Sequence, residues 1–560
     1  MAGLTFEALL NVDPKAFRTA ATGWDDLAQA IDDRADALDP TVKRIPDIWE
    51  GPAGTKASAH LQGLRKELDL AYVPVLTISQ ALSRHADGVE SLRSQAHSLV
   101  ARGKEANVTI KPDGSMTLDP AGQNEWGARA LSALVHERDE LMEAAAQLDS
   151  QTAKTISENT ATGSGVPAAR VDRTSIPPKG SDPKAVKAWW DSLSPAQQRF
   201  VLAEYPELVG NLDGVPVASR DIANRIVLDR DHDALNTRRG EVDAREAYIR
   251  RMIEEGRGAE LYPNAGNPVG EATAELDRLK EERSDIDGKL RGIDKISDRI
   301  DDDGSDRPRG FLIGFSSEGD GKAIVSAGNP DDADNVVTYV PGTGTDLSKV
   351  GGDLERVDRM VHDANRLEPG EDTAGIMWFG YDAPDDIPAA TLDRYAEDGA
   401  GDLRNFQSGL RATHEGESSH NVVLGHSYGT TVIGQTASEQ AGLNADDLVL
   451  VASPGAEVGG AKDLNITGGD PTKHVWATTA KNDFIQNTGL EDNLVHGENP
   501  VGAGFGGQVF KSDEGTPLWE WQDPFNAPNF AAHSEYWDPN NEARKNIASI
   551  VTSNYGDVTR

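Results

Sequence analysis

The sequence predicts an α/β fold, in which a mostly parallel sheet carries helices on both faces, behind an all-α helical module. In the C-terminal half, short apolar runs at 335–340, 422–424 and 447–453 alternate with helix-length segments, as buried parallel strands do. In the N-terminal third, apolar residues recur every seven positions, which is typical of paired helices. Residues 229–301 are highly charged with helical spacing and predict a helical insertion ahead of the sheet.

These patterns divide the 560 residues into five segments. We expect a helical hairpin or bundle at 1–158, a linker at 159–183, a helical approach segment at 184–228, a charged helical hairpin at 229–305 and the α/β domain at 306–560. The linker is assigned because Gly, Pro, Ser and Thr dominate it.

The helical module contains two apolar seams. The first consists of Phe17, Trp24, Ile31 and Leu38, with alanines between them, and the second runs from Leu61 to Leu99 in alternating steps of three and four. Two such helices around a turn predict an antiparallel hairpin, with His85 packed on the second seam. Pro112-Asp113-Gly114, between β-branched stretches, predicts a β-hairpin over Val108 to Leu118.

The run 425–429, Gly-His-Ser-Tyr-Gly, follows an apolar strand-like segment and precedes a helix-like one. This G-x-S-x-G pattern is typical of a nucleophile elbow, where flanking glycines allow a strained turn that presents the serine. We therefore predict Ser427 as a nucleophile and the N–H of Tyr428 as one oxyanion donor. The alternative is an ordinary serine in a glycine-flanked turn.

An elbow serine is followed along the chain by an acid and then a histidine. Asp483 comes just after the strand-like segment Lys473 to Ala480 and is the predicted acid, with Glu457 in reserve. His533 follows the last strand-like run, Gly507 to Lys511, and is the predicted base. His496 is the main alternative, and His474 lies inside a strand pattern that favours a core role.

The second oxyanion donor is expected in the loop after the strand 335–340. Pro341-Gly342-Thr343-Gly344 follows that strand about 80 residues before the elbow, so Thr343 or Gly344 is the predicted donor. Between acid and base, six aromatic residues could line an acyl-binding wall or belong to the core. They are Phe505, Phe510, Trp519, Trp521, Phe525 and Phe530.

These motifs carry two resemblances. Residues from about 185 onward, with YVPGTGTDL, WFGYDAP, GHSYGTT and VASPGAEV, resemble an actinobacterial α/β-hydrolase family long catalogued only as a domain of unknown function. The resemblance implies the α/β-hydrolase fold and esterase-like or lipase-like activity on an acyl ester, possibly a lipid. Trp49-Glu50-Gly51 resembles the W-x-G signature of small ESX-secreted hairpin proteins, which implies a W-x-G partner and type VII secretion.

Composition excludes several other classes. The net charge of −38 argues against nucleic-acid binding, and no apolar run is long enough for an integral membrane segment. The start lacks a Sec signal peptide, so we expect a cytoplasmic protein or one exported by type VII secretion. The chain has no cysteine and no metal or phosphate-loop motif, so no cofactor is expected. A non-catalytic interaction protein and a secreted lipolytic effector remain as alternatives.

Overall fold

A computed structural model of the protein describes residues 5–38, 41, 44–45, 48–49, 52–160, 171–302, 307–487, 495–518 and 529–560. The chain divides into two compact units. The first comprises Met1–Arg170 and Leu193–Phe200, and the second comprises Val171–Ser192 and Val201–Arg560. Within the described ranges, no helix has the length and apolar character needed to cross a membrane.

The first unit is mainly helical. Its elements are α1 Phe6–Asn11, α2 Pro14–Asp36, α3 Pro52–Glu105, β1 Val108–Ile110, β2 Met116–Leu118 and α4 Glu125–Thr160. Helices α2 and α3 are antiparallel, since Arg18 pairs with Asp87 at 2.7 Å while the later Ala21 carbonyl accepts from the earlier Ser79 hydroxyl at 2.9 Å. The predicted β-hairpin is present, with Gly114 at φ +82° in its turn.

The seam of α2 buries its small residues more completely than its large ones. Ala21, Ala28 and Ala35 are at most 6% exposed, whereas Phe17 and Trp24 are only partly buried. Small side chains let two helices approach closely, and the large ones then cover the edges of the contact. His85 is packed as expected, with its ring centroid 4.5 Å from that of Phe17. Trp49 is 51% exposed, and Glu50 and Gly51 lie outside the described residues.

The second unit contains the large sheet and its helices. The helices are α5 Pro183–Ser192, α6 Pro195–Glu204 (which begins in the stretch grouped with the first unit), α7 Pro206–Val209, α8 Val217–Glu254, α9 Pro268–Ile300, α10 Val350–Leu367, α11 Arg394–Thr413, α12 Tyr428–Ser438, α13 Pro471–His474 and α14 Glu542–Val551. The strands are β3 Gly310–Ser316, β4 Lys322–Ala327, β5 Asn335–Val340, β6 Thr373–Phe379, β7 His420–His426, β8 Asp447–Val451, β9 Gly455–Val458, β10 Val475–Thr478, β11 His496–Gly497 and β12 Gln508–Val509.

Eight strands form one sheet in the order β12-β10-β8-β7-β5-β6-β4-β3. The six strands from β12 to β6 are parallel, and β4 runs antiparallel to both β6 and β3. Strands β5, β6 and β8 are buried along their whole length and β7 at every position after His420, as the apolar runs predicted for strands covered on both faces. The carboxyl ends of β5 and β7 therefore lie side by side, and each leads into a loop of the predicted site.

Strand β3 is the edge of this sheet, and side chains from the helical region satisfy its outer backbone groups. Asp221 of α8 accepts from the N–H of Leu312 at 2.6 Å, and Asn224 donates to the carbonyl of Leu312 at 3.0 Å. Asn211 both accepts from the N–H of Phe315 at 3.0 Å and donates to its carbonyl at 2.9 Å. Polar residues of the approach segment thus complete the hydrogen bonding of the edge strand.

Several observed boundaries differ from the predicted ones. The predicted junction at 228 and 229 falls inside α8, because the approach segment and the first insertion helix are one continuous helix. Val171 and Ile176, in the predicted linker, are buried in the second unit at 6% and 7% exposure. The predicted strand from Lys473 begins as helix α13, since Pro471 occupies its first turn and the Asp470 side chain caps it.

Candidate active site

Ser427 lies between the end of β7 and the start of α12, in a backbone conformation that side chains rarely adopt. Its φ is +55° and its ψ is −128°. The flanking glycines explain how this turn fits. A Cβ on Gly429 would lie 2.1 Å from the carbonyl oxygen of Val340, and one on Gly425 would lie 2.7 Å from the backbone of Gly429. Only glycine fits at these two positions, and the strained turn presents Ser427 at the carboxyl edge of the sheet.

A cleft of about 370 Å³ opens at this edge. Its lining combines the loop 342–345, the elbow residues 426–428, His533 and apolar side chains that include Ile387 and Phe484. Ser427 is partly exposed, and its hydroxyl has no hydrogen-bond partner among the described residues. A larger cavity of about 630 Å³ lies elsewhere in the second unit, against Arg220 and Lys322, and holds none of the predicted groups.

Asp483 and His533 lie together. The Nδ1 atom of His533 is 2.9 and 3.0 Å from the two carboxylate oxygens of Asp483. An ionised carboxylate can only accept, so Nδ1 carries the proton and Nε2 is left free to accept one. Asp483 is fully buried and also accepts from the Tyr536 hydroxyl at 2.7 Å and from the N–H of Ile485 at 3.0 Å. The acid is therefore held on three sides by donors.

Tyr536 supports this pair, although no role was predicted for it. Its hydroxyl donates to Asp483 and accepts from the N–H of Ala480 at 2.8 Å, so it joins the acid to the end of β10. Burial, together with the neighbouring Asp483 charge, raises the pKa of Tyr536, so the hydroxyl keeps the proton that it donates. The signal in the sequence was its position, three residues after the predicted base.

His426, the residue before the predicted nucleophile, contacts the predicted base directly. Its Nε2 atom lies 2.6 Å from the carbonyl oxygen of His533, and the two ring centroids are 4.8 Å apart. Burial, reinforced by the nearby His533 and Arg356, lowers the pKa of His426 well below its ordinary value. A neutral imidazole donating from Nε2 therefore fixes the backbone that carries His533. No separate role was predicted for His426, because in the sequence it stands only as a variable position of the elbow motif.

The alternative histidines have other partners. His496 is fully buried, with Nδ1 2.5 Å from Glu457 and Nε2 2.7 Å from the carbonyl of Ala390. Glu457, the reserve acid, is thus paired with the reserve base and not with His533. His474 Nδ1 lies 3.1 Å from Asp447. Neither His496 nor His474 lines the cleft that contains Ser427.

The pair of His496 and Glu457 is also the place where a metal ion could be considered. With Asp393, these residues are the one group of three among the described residues whose ligand atoms lie close enough to share an ion. Burial would lower the pKa of His496, but its hydrogen bonds to Glu457 and Ala390 outweigh burial and raise it. The doubly hydrogen-bonded, cationic imidazole fits an ion pair, because a metal ligand must be neutral.

The predicted oxyanion loop, residues 341–344, packs closely against the elbow. A Cβ on Gly342 would lie 2.7 Å from the carbonyl oxygen of His426 and 2.8 Å from Cβ of Ser427. The two predicted donors of this loop differ. The N–H of Gly344 donates to the carbonyl of Pro384 at 2.7 Å and is therefore already used, whereas the N–H of Thr343 has no acceptor among the described residues. With Tyr428 at the first position of α12, Thr343 is the available second donor.

Of the six aromatic residues between acid and base, Phe505 and Phe510 are core residues at 2% exposure each. Phe530 is 51% exposed, and its ring meets that of Phe484, which lines the cleft and lies 4.7 Å from His533. Trp519, Trp521 and Phe525 lie outside the described residues. None of the described aromatic residues of this set lines the cleft, whose wall includes the aromatic side chain of Phe484.

The second unit has the α/β-hydrolase fold, as the sheet order and the strand-to-helix elbow at Ser427 define it. Residues 317–491 match a family model described as "Alpha/beta hydrolase". The matched segment includes Ser427 and Asp483, and His533 follows it.

The chain is also similar to mycobacterial proteins. It is 30% identical over 415 residues to the uncharacterized protein Rv2079 of Mycobacterium tuberculosis, which covers 68% of this chain and 57% of that protein. It is 34% identical over 174 residues to the uncharacterized proteins Rv0963c of Mycobacterium tuberculosis and Mb0988c of Mycobacterium bovis, which covers 30% of this chain and 63% of each of them. The chain spans little more than half the length of Rv2079.

Proposed function

We propose that the protein is a serine hydrolase that cleaves an ester or a related acyl substrate. The observation that carries this proposal is the pair of His533 and the buried Asp483, because His533 lines the same cleft as Ser427 on its strained elbow. A merely structural turn has no need of a serine in a strained conformation beside an oriented imidazole. The family similarity supports the same class of activity.

In the proposed reaction, the hydroxyl of Ser427 attacks the acyl carbonyl and gives its proton to Nε2 of His533. Asp483 holds the imidazole in the tautomer that can accept this proton and stabilises the imidazolium that forms. The N–H groups of Tyr428 and Thr343 stabilise the oxyanion, a contribution of roughly 3–4 kcal/mol per donor. His533 then protonates the departing alcohol, and a water molecule activated by the same histidine releases the acyl group.

Ser427 and His533 are not hydrogen-bonded to each other in the structure, although both line the cleft. This is compatible with the proposal, because catalytic hydrogen bonds often tighten only when substrate is bound. A hydrogen bond between Ser427 and His533 can form without any movement of Asp483, because three donors already hold its carboxylate in place.

A fluorophosphonate probe tests the nucleophile. We expect mass spectrometry to find the probe on Ser427 and labelling to disappear in Ser427→Ala. Labelling on a different serine, or none in a folded sample, would contradict the assignment.

Two histidine variants test the base. His533→Ala should lower kcat for an activated ester by a factor of about a thousand or more, whereas His496→Ala should keep most activity. These variants are matched, since each removes an imidazole whose Nδ1 is paired with a carboxylate. If His496→Ala lost activity and His533→Ala kept it, His496, paired with Glu457, would be the general base instead.

We also propose a partner for the helical unit, a small W-x-G hairpin protein of the kind that the resemblance implies. Ile48 and Trp49, near the predicted turn, are 69% and 51% exposed and adjacent in sequence, so together they present an apolar surface to a partner. Trp49→Ser should abolish co-purification with such a partner, and Trp126→Ser, at an 80% exposed tryptophan of α4, is the matched control. Equal binding by both variants would refute this role, and with it the link to type VII export.

A further inference from the structure

Arg356 of α10 lines the same cleft as Ser427 and His533. Its Nη1 donates to the Tyr339 hydroxyl at 2.7 Å and to Oδ1 of Asp353 at 2.8 Å. The guanidinium carbon lies 4.8 Å from the centroid of the Trp537 ring. Three contacts therefore fix the plane of this guanidinium before any substrate arrives.

The remaining donors of Arg356 are unused. Its Nε and Nη2 groups, which carry three N–H bonds, have no acceptor among the described residues. The side chain is 21% exposed and lines the cleft, and these nitrogens are not among the described buried polar atoms that lack partners, so solvent can reach them. Nε and Nη2 form the edge of a guanidinium that binds a carboxylate or a phosphate through two parallel hydrogen bonds.

The other cation of the cleft does not offer such an edge. The ammonium of Lys349 donates to the carbonyl of Gly344 at 2.6 Å and pairs with Asp346 at 2.7 Å. Asp353 lines the cleft as well, but its carboxylate is already engaged by Arg356 and Tyr339. The chain as a whole is strongly acidic, with a net charge of −38. Arg356 nevertheless places a preorganised cation with open donors in the same cleft as Ser427.

We propose that Arg356 binds an anionic group of the substrate, so that the enzyme prefers esters carrying a carboxylate or a phosphate near the scissile bond. This inference rests on the proposed hydrolase function and narrows its substrate class. The cleft volume of about 370 Å³ lies near the lower end of ligand sites, which favours a short spacing between the ester and the anion. A purely aliphatic ester would leave the donors of Arg356 without a protein or substrate acceptor.

Two pairs of esters test the proposal and separate the two anions. Mono-p-nitrophenyl adipate is compared with p-nitrophenyl methyl adipate for a carboxylate, and 1-butyrylglycerol 3-phosphate with 1-butyrylglycerol for a phosphate. We expect kcat/KM of the full-length protein to be about 10-fold to 100-fold higher for the charged member of at least one pair. The pair that shows the preference identifies the anion.

Arg356→Gln should bring that ratio close to one, while Arg366→Gln, which removes a charge from an exposed position of the same helix, should leave it unchanged. If Arg356→Gln folds poorly because it leaves Asp353 unpaired, the double variant Arg356→Gln with Asp353→Asn removes both charges and should give the same ratio. Ratios near one for both pairs in the unmodified protein would overturn the inference while ester hydrolysis itself persisted. Absence of both hydrolysis and fluorophosphonate labelling would instead overturn the proposed function, and the inference with it.

Discussion

Gly342→Ala tests how closely the oxyanion loop must fit the nucleophile. The new methyl group would lie 2.8 Å from Cβ of Ser427, whereas carbon atoms in contact prefer about 3.5–4.0 Å. The loop would have to move away by roughly 0.7–1.2 Å, and a displacement of about 1 Å can cost about 100-fold in rate. Because the φ of Gly342 lies outside the left-handed region, alanine can adopt this backbone and the effect is steric.

We therefore expect kcat/KM for p-nitrophenyl butyrate to fall about 100-fold and fluorophosphonate labelling of Ser427 to slow by a similar factor. Overpacking should reduce the free energy of unfolding by about 1–3 kcal/mol, which leaves the protein folded. Gly401→Ala is the control, because a methyl group there meets nothing within 4 Å in helix α11 and should be neutral or slightly stabilising. Full activity in a folded Gly342→Ala protein would refute the tight packing of loop and elbow.

Three further predictions follow from the described contacts. Tyr536→Phe removes a charge-assisted donor to Asp483. We expect the free energy of unfolding, measured in urea, to fall by about 2–4 kcal/mol and kcat to fall about 10-fold. Unchanged stability and kcat would show that the hydroxyl is dispensable. Burial opposes the charges of His420 and Asp447, but their hydrogen bonds, to each other and to neighbouring groups, together outweigh burial, which raises the pKa of His420 and lowers the pKa of Asp447. The pair thus contributes fully to the free energy of unfolding between about pH 4 and pH 6.5, and less as the pH rises through the raised pKa of His420. His420→Gln should therefore destabilise the protein more at pH 6 than at pH 9. Equal losses of stability at the two pH values would contradict the pKa shift. Finally, a fragment of residues 171–560 should be soluble and keep ester hydrolysis, whereas an insoluble fragment would show that the two units depend on each other.

The sequence was most informative where local pattern and chemistry coincide. The elbow could be predicted because a strand, two glycines, a serine and a helix must follow one another in a fixed order. Strand β5 was predicted at its observed bounds, and the apolar run 422–424 marked the centre of β7, since strands buried on both faces contain continuous apolar runs. The α/β fold follows from such elements, and the family match agrees with it.

The sequence was less informative where contacts join distant residues. Tyr536 and His426 support Asp483 and His533 through hydrogen bonds across the sheet edge, and no periodicity reports such contacts. The choice between Thr343 and Gly344 depended on a single backbone hydrogen bond to Pro384. The boundary inside α8 was misplaced because a change of composition from mixed to charged residues does not interrupt a helix that keeps its backbone hydrogen bonds.

The covered edge of strand β3 bears on how this protein behaves at high concentration. An open edge strand can recruit a strand from a second molecule and so begin aggregation. Here Asp221, Asn224 and Asn211 occupy the backbone groups of Leu312 and Phe315 that an incoming strand would use. The helix that carries the charged insertion therefore also closes this edge of the sheet to strand addition from a second molecule.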